Sequence, residues 1–129
     1  MAADRIRNNK VILDTNALLM PFQFKLNLDS ELTRLLGQYE IIIPSSVIAE
    51  LENLYREKQK PRWIKSALSL AKKYQIEHVN GSGDDAICKA AQESNAIVVT
   101  NDKALKKRLK SRGVRTIWLK SKTHLVLDE

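Results

Sequence analysis

Two short apolar runs, each leading to an aspartate, constrain this chain more than any other feature. Val11-Ile12-Leu13 runs into Asp14-Thr15-Asn16, and Ile97-Val98-Val99 runs into Thr100-Asn101-Asp102. Consecutive β-branched and aliphatic residues without polar alternation suit a strand covered on both faces, as in a parallel sheet packed between helices. In open sheets of that kind the binding crevice forms beyond the carboxyl ends of the strands. Both aspartates stand at such ends. A third run, Ile41-Ile42-Ile43-Pro44, leads into a helical segment that carries Glu50.

Between these runs the pattern changes to helical spacing. Strand one is expected over roughly Lys10 to Leu13, then a short turn Ala17 to Met20 cut by Pro21. A helix opens at Asp29-Ser30, buries Leu32, Leu35 and Leu36, and closes at Gly37. Strand two covers Glu40 to Ile43. Pro44-Ser45-Ser46 reads as a helix start in which serine accepts from free backbone amides. Val47, Leu51 and Leu54 form its core stripe, and Glu50 falls at the border of that stripe. Pro61 starts a further helix with Ile64, Leu68 and Ala71 inward. Gln75 to Val79 is a weaker third strand, and Asn80-Gly81-Ser82-Gly83 is a loop. Asp84-Asp85 open a helix with Ile87, Ala90 and Ala91 inward. Ala96 to Thr100 is strand four, Lys103 to Arg112 a basic helix, and Val114 to Leu119 strand five. Residues 1–9 read as a frayed polar start, and residues 120–129 match no element. Alternation of this kind predicts an α/β fold with a mostly parallel sheet. Right-handed crossovers then bring the strand carboxyl ends to one edge. Asp14, Glu50, Asp84 and Asp102 all start from that edge.

A chain of 129 residues suits one domain and one sizeable core. The formal charge of +7 favours an anionic partner, nucleic acid or a membrane surface. The one cysteine, Cys88, cannot form an internal disulfide and reads as a small core residue. Nothing approaches the roughly 18 continuous apolar residues of a membrane span. No secretory pattern precedes Asp14, so a cytoplasmic protein is expected.

Each acid also has a purely structural reading. Asp102 and Asp84 could cap the helices that follow them, and Asp14 the turn after it. Asp85 reads as first-turn charge and Glu50 as a solvated helix residue. Together they say more. Several carboxylates at one edge repel each other unless a cation or proton lies between them. Hard oxygen ligands select Mg²⁺ or Mn²⁺, which polarise phosphoryl oxygens and activate water.

These motifs, taken in order, resemble the PIN-domain ribonucleases. The resemblance rests on Val11 to Asn16, on Pro44-Ser45-Ser46-Val47-Ile48-Ala49-Glu50-Leu51, on Asp84-Asp85-Ala86-Ile87 and on Val99-Thr100-Asn101-Asp102. It covers Val11 to Leu119 and implies that residues 1–129 are a single PIN domain with a core of about 10–119. It implies a three-layer α/β/α sandwich around a five-stranded parallel sheet, and metal-dependent endonucleolytic cleavage of single-stranded RNA. Asp14, Glu50, Asp84 and Asp102 would then be catalytic and hold Mg²⁺ or Mn²⁺. Asn16 and Thr100 would orient the acids and the metal water, with Asp85 as a supporting partner of Asp84. The resemblance also implies a homodimer.

Lys103, Lys106, Lys107, Arg108 and Lys110 follow the last acid without an acidic interruption. They read either as a solvated face or as a track for an RNA backbone. A second basic group, Arg56, Lys58, Lys60, Arg62 and Lys65, could form the opposite wall of a groove. Trp63 and Tyr55 lie near it and suit core or subunit contacts better than base stacking. His78 and His124 match no metal motif.

The chain lacks a Gly-rich loop ending in Lys-Ser/Thr and a G-x-G-x-x-G turn, which excludes the common nucleotide-binding loops. Asn16 stands where a phosphoaspartyl phosphatase would want a second aspartate. A phosphoacceptor receiver domain would order its acids differently. Two ribonuclease roles fit: processing of ribosomal RNA, towards which the Asp84-Asp85 doublet and the basic helix lean, with structured rRNA as substrate and a ribosome-assembly partner; or a VapC-type toxin silenced by an antitoxin. A non-catalytic RNA-binding module whose acids are structural caps is the reading from outside enzymology.

Overall fold

The computed structural model describes residues 9–58 and 61–128. In chain order the elements are β1 (Asn9–Leu13), α1 (Thr15–Phe24), α2 (Leu28–Leu36), β2 (Tyr39–Pro44), α3 (Ser45–Arg56), α4 (Pro61–Ala71), β3 (Gln75–Glu77), α5 (Gly83–Ser94), β4 (Ile97–Val99), α6 (Lys103–Ser111), β5 (Thr116–Lys120) and β6 (His124–Asp128). The sheet order is β3-β2-β1-β4-β5-β6. The first five strands in that order are parallel, and β6 runs antiparallel to β5.

Helices cover both faces, as the α/β/α reading expects. Right-handed crossovers out to β2 and β3 place α1 to α4 on one face, and the return to β4 and β5 places α5 and α6 on the other. The middle strands are accordingly apolar throughout. Val11, Ile12, Leu13, Ile43, Val98 and Val99 are fully buried. Cys88 joins this core as a buried free thiol. Among the described residues no helix is long and apolar enough to cross a membrane.

Four expectations change. The sheet has six strands, because residues 124–128 pair with β5. Leu125-Val126-Leu127 is a short apolar run that returns along β5 as a hairpin through residues 121–123, and contacts remote in the chain add to that pairing. Glu31 accepts the Leu125 amide at 2.8 Å, and Arg34 donates to the Leu125 carbonyl at 2.6 Å. Second, α1 continues through Pro21 to Phe24. The ring removes one amide donor, but Ala17, Leu18, Leu19 and Met20 are buried, and their packing holds the helix together. Third, α2 starts at Leu28, with Asn27 accepting from the Ser30 amide at 3.0 Å. Asp29 accepts the Tyr39 hydroxyl at 2.6 Å instead of opening the helix. Fourth, no serine side chain caps α3. Ser45 Oγ accepts the Val79 amide at 3.0 Å and so ties the start of α3 to the loop before α5. Residues 1–8 and Lys60, which the sequence assigns to a polar start and a basic group, lie outside the described residues.

Candidate active site

The strand order reverses between β1 and β4. The chain builds β1, β2 and β3 outward to one side and returns to pair β4 against the other side of β1. That reversal opens a crevice at the carboxyl ends of these two strands. Asp14 is the residue after β1, and its amide donates to Val99 at the end of β4 at 3.4 Å. Thr100, Asn101 and Asp102 continue from β4 on the opposite wall.

Asp14 is only 5% exposed, the strongest burial of any acid in the crevice. Its Oδ1 accepts the Ala17 amide at 2.7 Å, which caps α1. The structural role is therefore real, but it does not account for the charge. Burial pushes the Asp14 carboxyl up to about 6, against hydrogen bonds from Thr100 and Ala17 that pull it down. Glu50 and Asp102 add repulsion and raise it further.

Thr100 is fully buried and connects the two walls. Its hydroxyl oxygen accepts the Asp102 amide at 3.1 Å while its proton serves the Asp14 carboxylate. Asp102 Oδ1 in turn accepts the Leu105 amide at 3.1 Å and caps α6. Glu50 enters from α3, and Thr15 Oγ1 donates to its Oε1 at 2.5 Å. Asp84 lies in the first turn of α5, whose capping residue is Ser82, so the capping role open to Asp84 in the sequence is not used. Partial burial raises the Asp84 carboxyl, as do Asp102, Asp85 and Glu50, while Arg108 opposes them.

The fold thus brings Asp14, Glu50, Asp84 and Asp102 into one electrostatic neighbourhood. Among the described residues the ion pairs engage Glu31 and Asp85 and none of these four. Unpaired, mutually repelling carboxylates with hard oxygen donors are chemically suited to a small divalent cation. No three of them among the described residues converge closely enough to chelate an ion by themselves. Mg²⁺ does not require three, because it keeps several waters and commonly takes one or two carboxylates together with substrate phosphate.

The remaining candidates separate. Asn16 is exposed, and no hydrogen bond among the described residues engages its side chain. Asp85 is exposed and pairs with Arg108, whose guanidinium holds its carboxyl below the ordinary range. Lys103, Lys107 and Lys110 are exposed along α6, while Lys106 lies over the Trp118 ring, 4.5 Å from its centroid. Two residues of the crevice were not singled out from the sequence. Thr15 is adjacent to Asp14, but its partner Glu50 lies 35 positions away. Asn101 Oδ1 accepts the Leu119 amide at 2.7 Å and fastens the Asp102 loop to β5. A surface groove lies elsewhere, between the end of α1 and α4, where Phe22, Lys25, Lys65, Lys73 and Tyr74 line it.

A parallel α/β/α domain with an acidic crevice at its switch point belongs among carboxylate-site domains that act on phosphate chemistry. A family described as a PIN like domain matches residues 11–122, and the chain belongs to it. It is 34% identical to Ribonuclease VapC9 of Archaeoglobus fulgidus, over 99% of this chain and 98% of that protein. It is likewise 34% identical to Ribonuclease VapC4 of Methanocaldococcus jannaschii, over 89% of this chain and 93% of that one. Among solved structures, the PIN domain endonuclease Utp24 superposes with a TM-score of 0.76 at 27% identity, covering 92% of this chain and 90% of that chain. A domain of a functionally unknown Methanocaldococcus jannaschii protein shares the fold, with a TM-score of 0.68 at 21% identity and coverage of 88% and 92%.

Proposed function

We propose that this protein is a metal-dependent endoribonuclease that cleaves single-stranded RNA by hydrolysis. The observation that carries the proposal is the buried Asp14 at the switch point, facing Asp102 and Glu50. A carboxylate is costly to bury, and repulsive neighbours increase the cost. The arrangement becomes favourable when a cation occupies the crevice.

Asp14, Glu50, Asp84 and Asp102 would hold Mg²⁺ or Mn²⁺. The bound ion supplies charge neutralisation at the scissile phosphate and a more acidic water. Thr100 links Asp14 and Asp102, and Thr15, the neighbour of Asp14 in the chain, holds one carboxylate oxygen of Glu50. Asp14 is fixed by two donors, so it need not reorganise when substrate arrives. Lys103, Lys107 and Lys110 would take the RNA backbone beyond the acids.

A toxin of the VapC type, restrained by an antitoxin, is preferred here over ribosomal-RNA processing. The Asp84-Asp85 doublet, which leans toward processing in the sequence, carries less weight because the exposed Asp85 pairs with Arg108. The names of the two curated relatives support the same preference. A homodimer and a cytoplasmic location remain part of the proposal.

The test is cleavage of end-labelled single-stranded RNA with Mn²⁺, Mg²⁺ or EDTA, for the wild type beside Asp14→Asn and Glu50→Gln. Metal-dependent cutting that both folded variants lose supports the proposal. Binding without cutting, indifferent to EDTA and to both variants, would sink it in favour of a binding module.

A further inference from the structure

We infer that Trp118, together with Lys106, forms a nucleobase subsite beside the acidic crevice. The inference rests on the proposed action on single-stranded RNA. Three observations locate it. In the β4–β5 register Val99 stands opposite Ile117, and the Thr100 amide donates to the Ile117 carbonyl at 2.9 Å. Trp118 is therefore level with Thr100, at the carboxyl edge of the sheet. Asn101 is bonded to the Leu119 amide, which fixes the tryptophan strand against the loop that carries Asp102. Lys106 is one helical turn from Asp102, its amide donating to the Asp102 carbonyl at 2.9 Å.

Ile117 and Leu119 are buried, whereas Trp118 between them stays partly open to solvent. This large aromatic, partly open at the rim of an acidic site, carries the Lys106 ammonium over its ring. One helical turn from Asp102 is comparable to the spacing of successive nucleotides. A base stacking on the ring would displace the ammonium toward the neighbouring phosphate. Stacking on an aromatic exceeds an exposed cation–π contact, so the exchange is favourable. Stacking is also tolerant of sequence, so the subsite would position a strand without selecting a base.

The experiment measures binding of a short single-stranded RNA in EDTA by fluorescence anisotropy. An abasic oligonucleotide of the same length is the second probe. Trp118→Ala should weaken RNA binding about tenfold, while Trp118→Phe should restore most of it. Lys106→Gln should lower the salt dependence of binding by about one phosphate contact. In a Trp63→Phe protein, where Trp118 is the remaining tryptophan, RNA should quench the emission and the abasic strand should not. Equal RNA binding by wild type and Trp118→Ala, or equal quenching by both probes, overturns the inference. Should the wild type cut RNA while Trp118→Ala binds normally, the subsite fails and the nuclease stands. Trp118-dependent binding without any cutting upholds the subsite and removes the nuclease, and absence of binding removes both.

Discussion

Asp14 and Asp84 are both carboxylates at the start of a helix, and both feel the charge of Asp102 and Glu50. They are held very differently. Asp14 is buried and fixed by the Ala17 amide and the Thr100 hydroxyl. Asp84 is partly open and enters through a loop in which Gly81 and Gly83 take positive φ. The difference is inherited from the preceding strand. Asp14 follows β1, at the middle of the sheet with partners on both sides. Asp84 follows β3, a three-residue edge strand whose Ile76 is half exposed. One half of the crevice is rigid at an electrostatic cost, and the other can adjust to a ligand. Arg108 tempers the adjustable half and does not reach the rigid one.

The largest effect should come from neutralising the rigid acid. Asp14→Asn should reduce RNA cleavage by at least about a hundredfold, because the proposed charged ligand is lost while asparagine still caps α1. Single-turnover rates beside circular dichroism would measure it, and a folded variant that cuts normally would dismiss the rigid acid as catalytic.

The cost of that rigidity should be visible in pH. With metal chelated, the Asp14 carboxyl titrates near 6 in the folded protein against an ordinary 3.8. The folded state therefore binds this proton more tightly than the unfolded chain does. The stability it contributes is complete below about pH 3.8 and is lost as pH rises through 6, roughly 3 kcal/mol in all. The difference in thermal stability between Asp14→Asn and wild type should grow in the variant's favour from pH 4 to 7. A divalent cation should narrow it at pH 7. A difference that is flat with pH would mean that Asp14 carries no such cost.

Thr15→Val keeps the shape of the side chain and removes the donor to Glu50. Cleavage, or the Mn²⁺ concentration needed for half the maximal rate, should worsen about tenfold, and Thr15→Ser should restore it. Equal behaviour of valine and serine would show that Thr15 only packs. The smallest effect belongs to the open half. Asp85→Asn breaks an exposed ion pair and should change cleavage by less than about threefold, with little change in melting temperature. A large loss there would make Asp85 a ligand and return the doublet to the site.

Much of this molecule is legible in its sequence because strands buried on both faces have a plain signature. The runs at Val11, Ile41 and Ile97 locate β1, β2 and β4 to within a residue or two, and with them the positions of Asp14 and Asp102. Elements that depend on remote partners are harder to read. Pro21 argues locally for a helix end, but the burial of Ala17 to Met20 outweighs it. Strand β6 pairs locally with β5, but its outer edge is also bonded at Leu125 by Glu31 and Arg34, more than ninety positions away. Ser45 looks like a cap and is instead a link to Val79, because the amide nearest its hydroxyl belongs to another segment.

The alternation of strands with helices, and the placing of acids just after the strands, follow from the amino-acid order alone. Those are local matters of periodicity and of residue types at chain breaks. Which acid is buried, which is paired and which is free depends on the closed fold. Folding sets Thr15 on Glu50, Thr100 between Asp14 and Asp102, Arg108 on Asp85 and Lys106 over Trp118. The physical reason is that a carboxylate's charge state and orientation depend on desolvation and on donors brought from distant segments. Only the closed sheet brings those segments together.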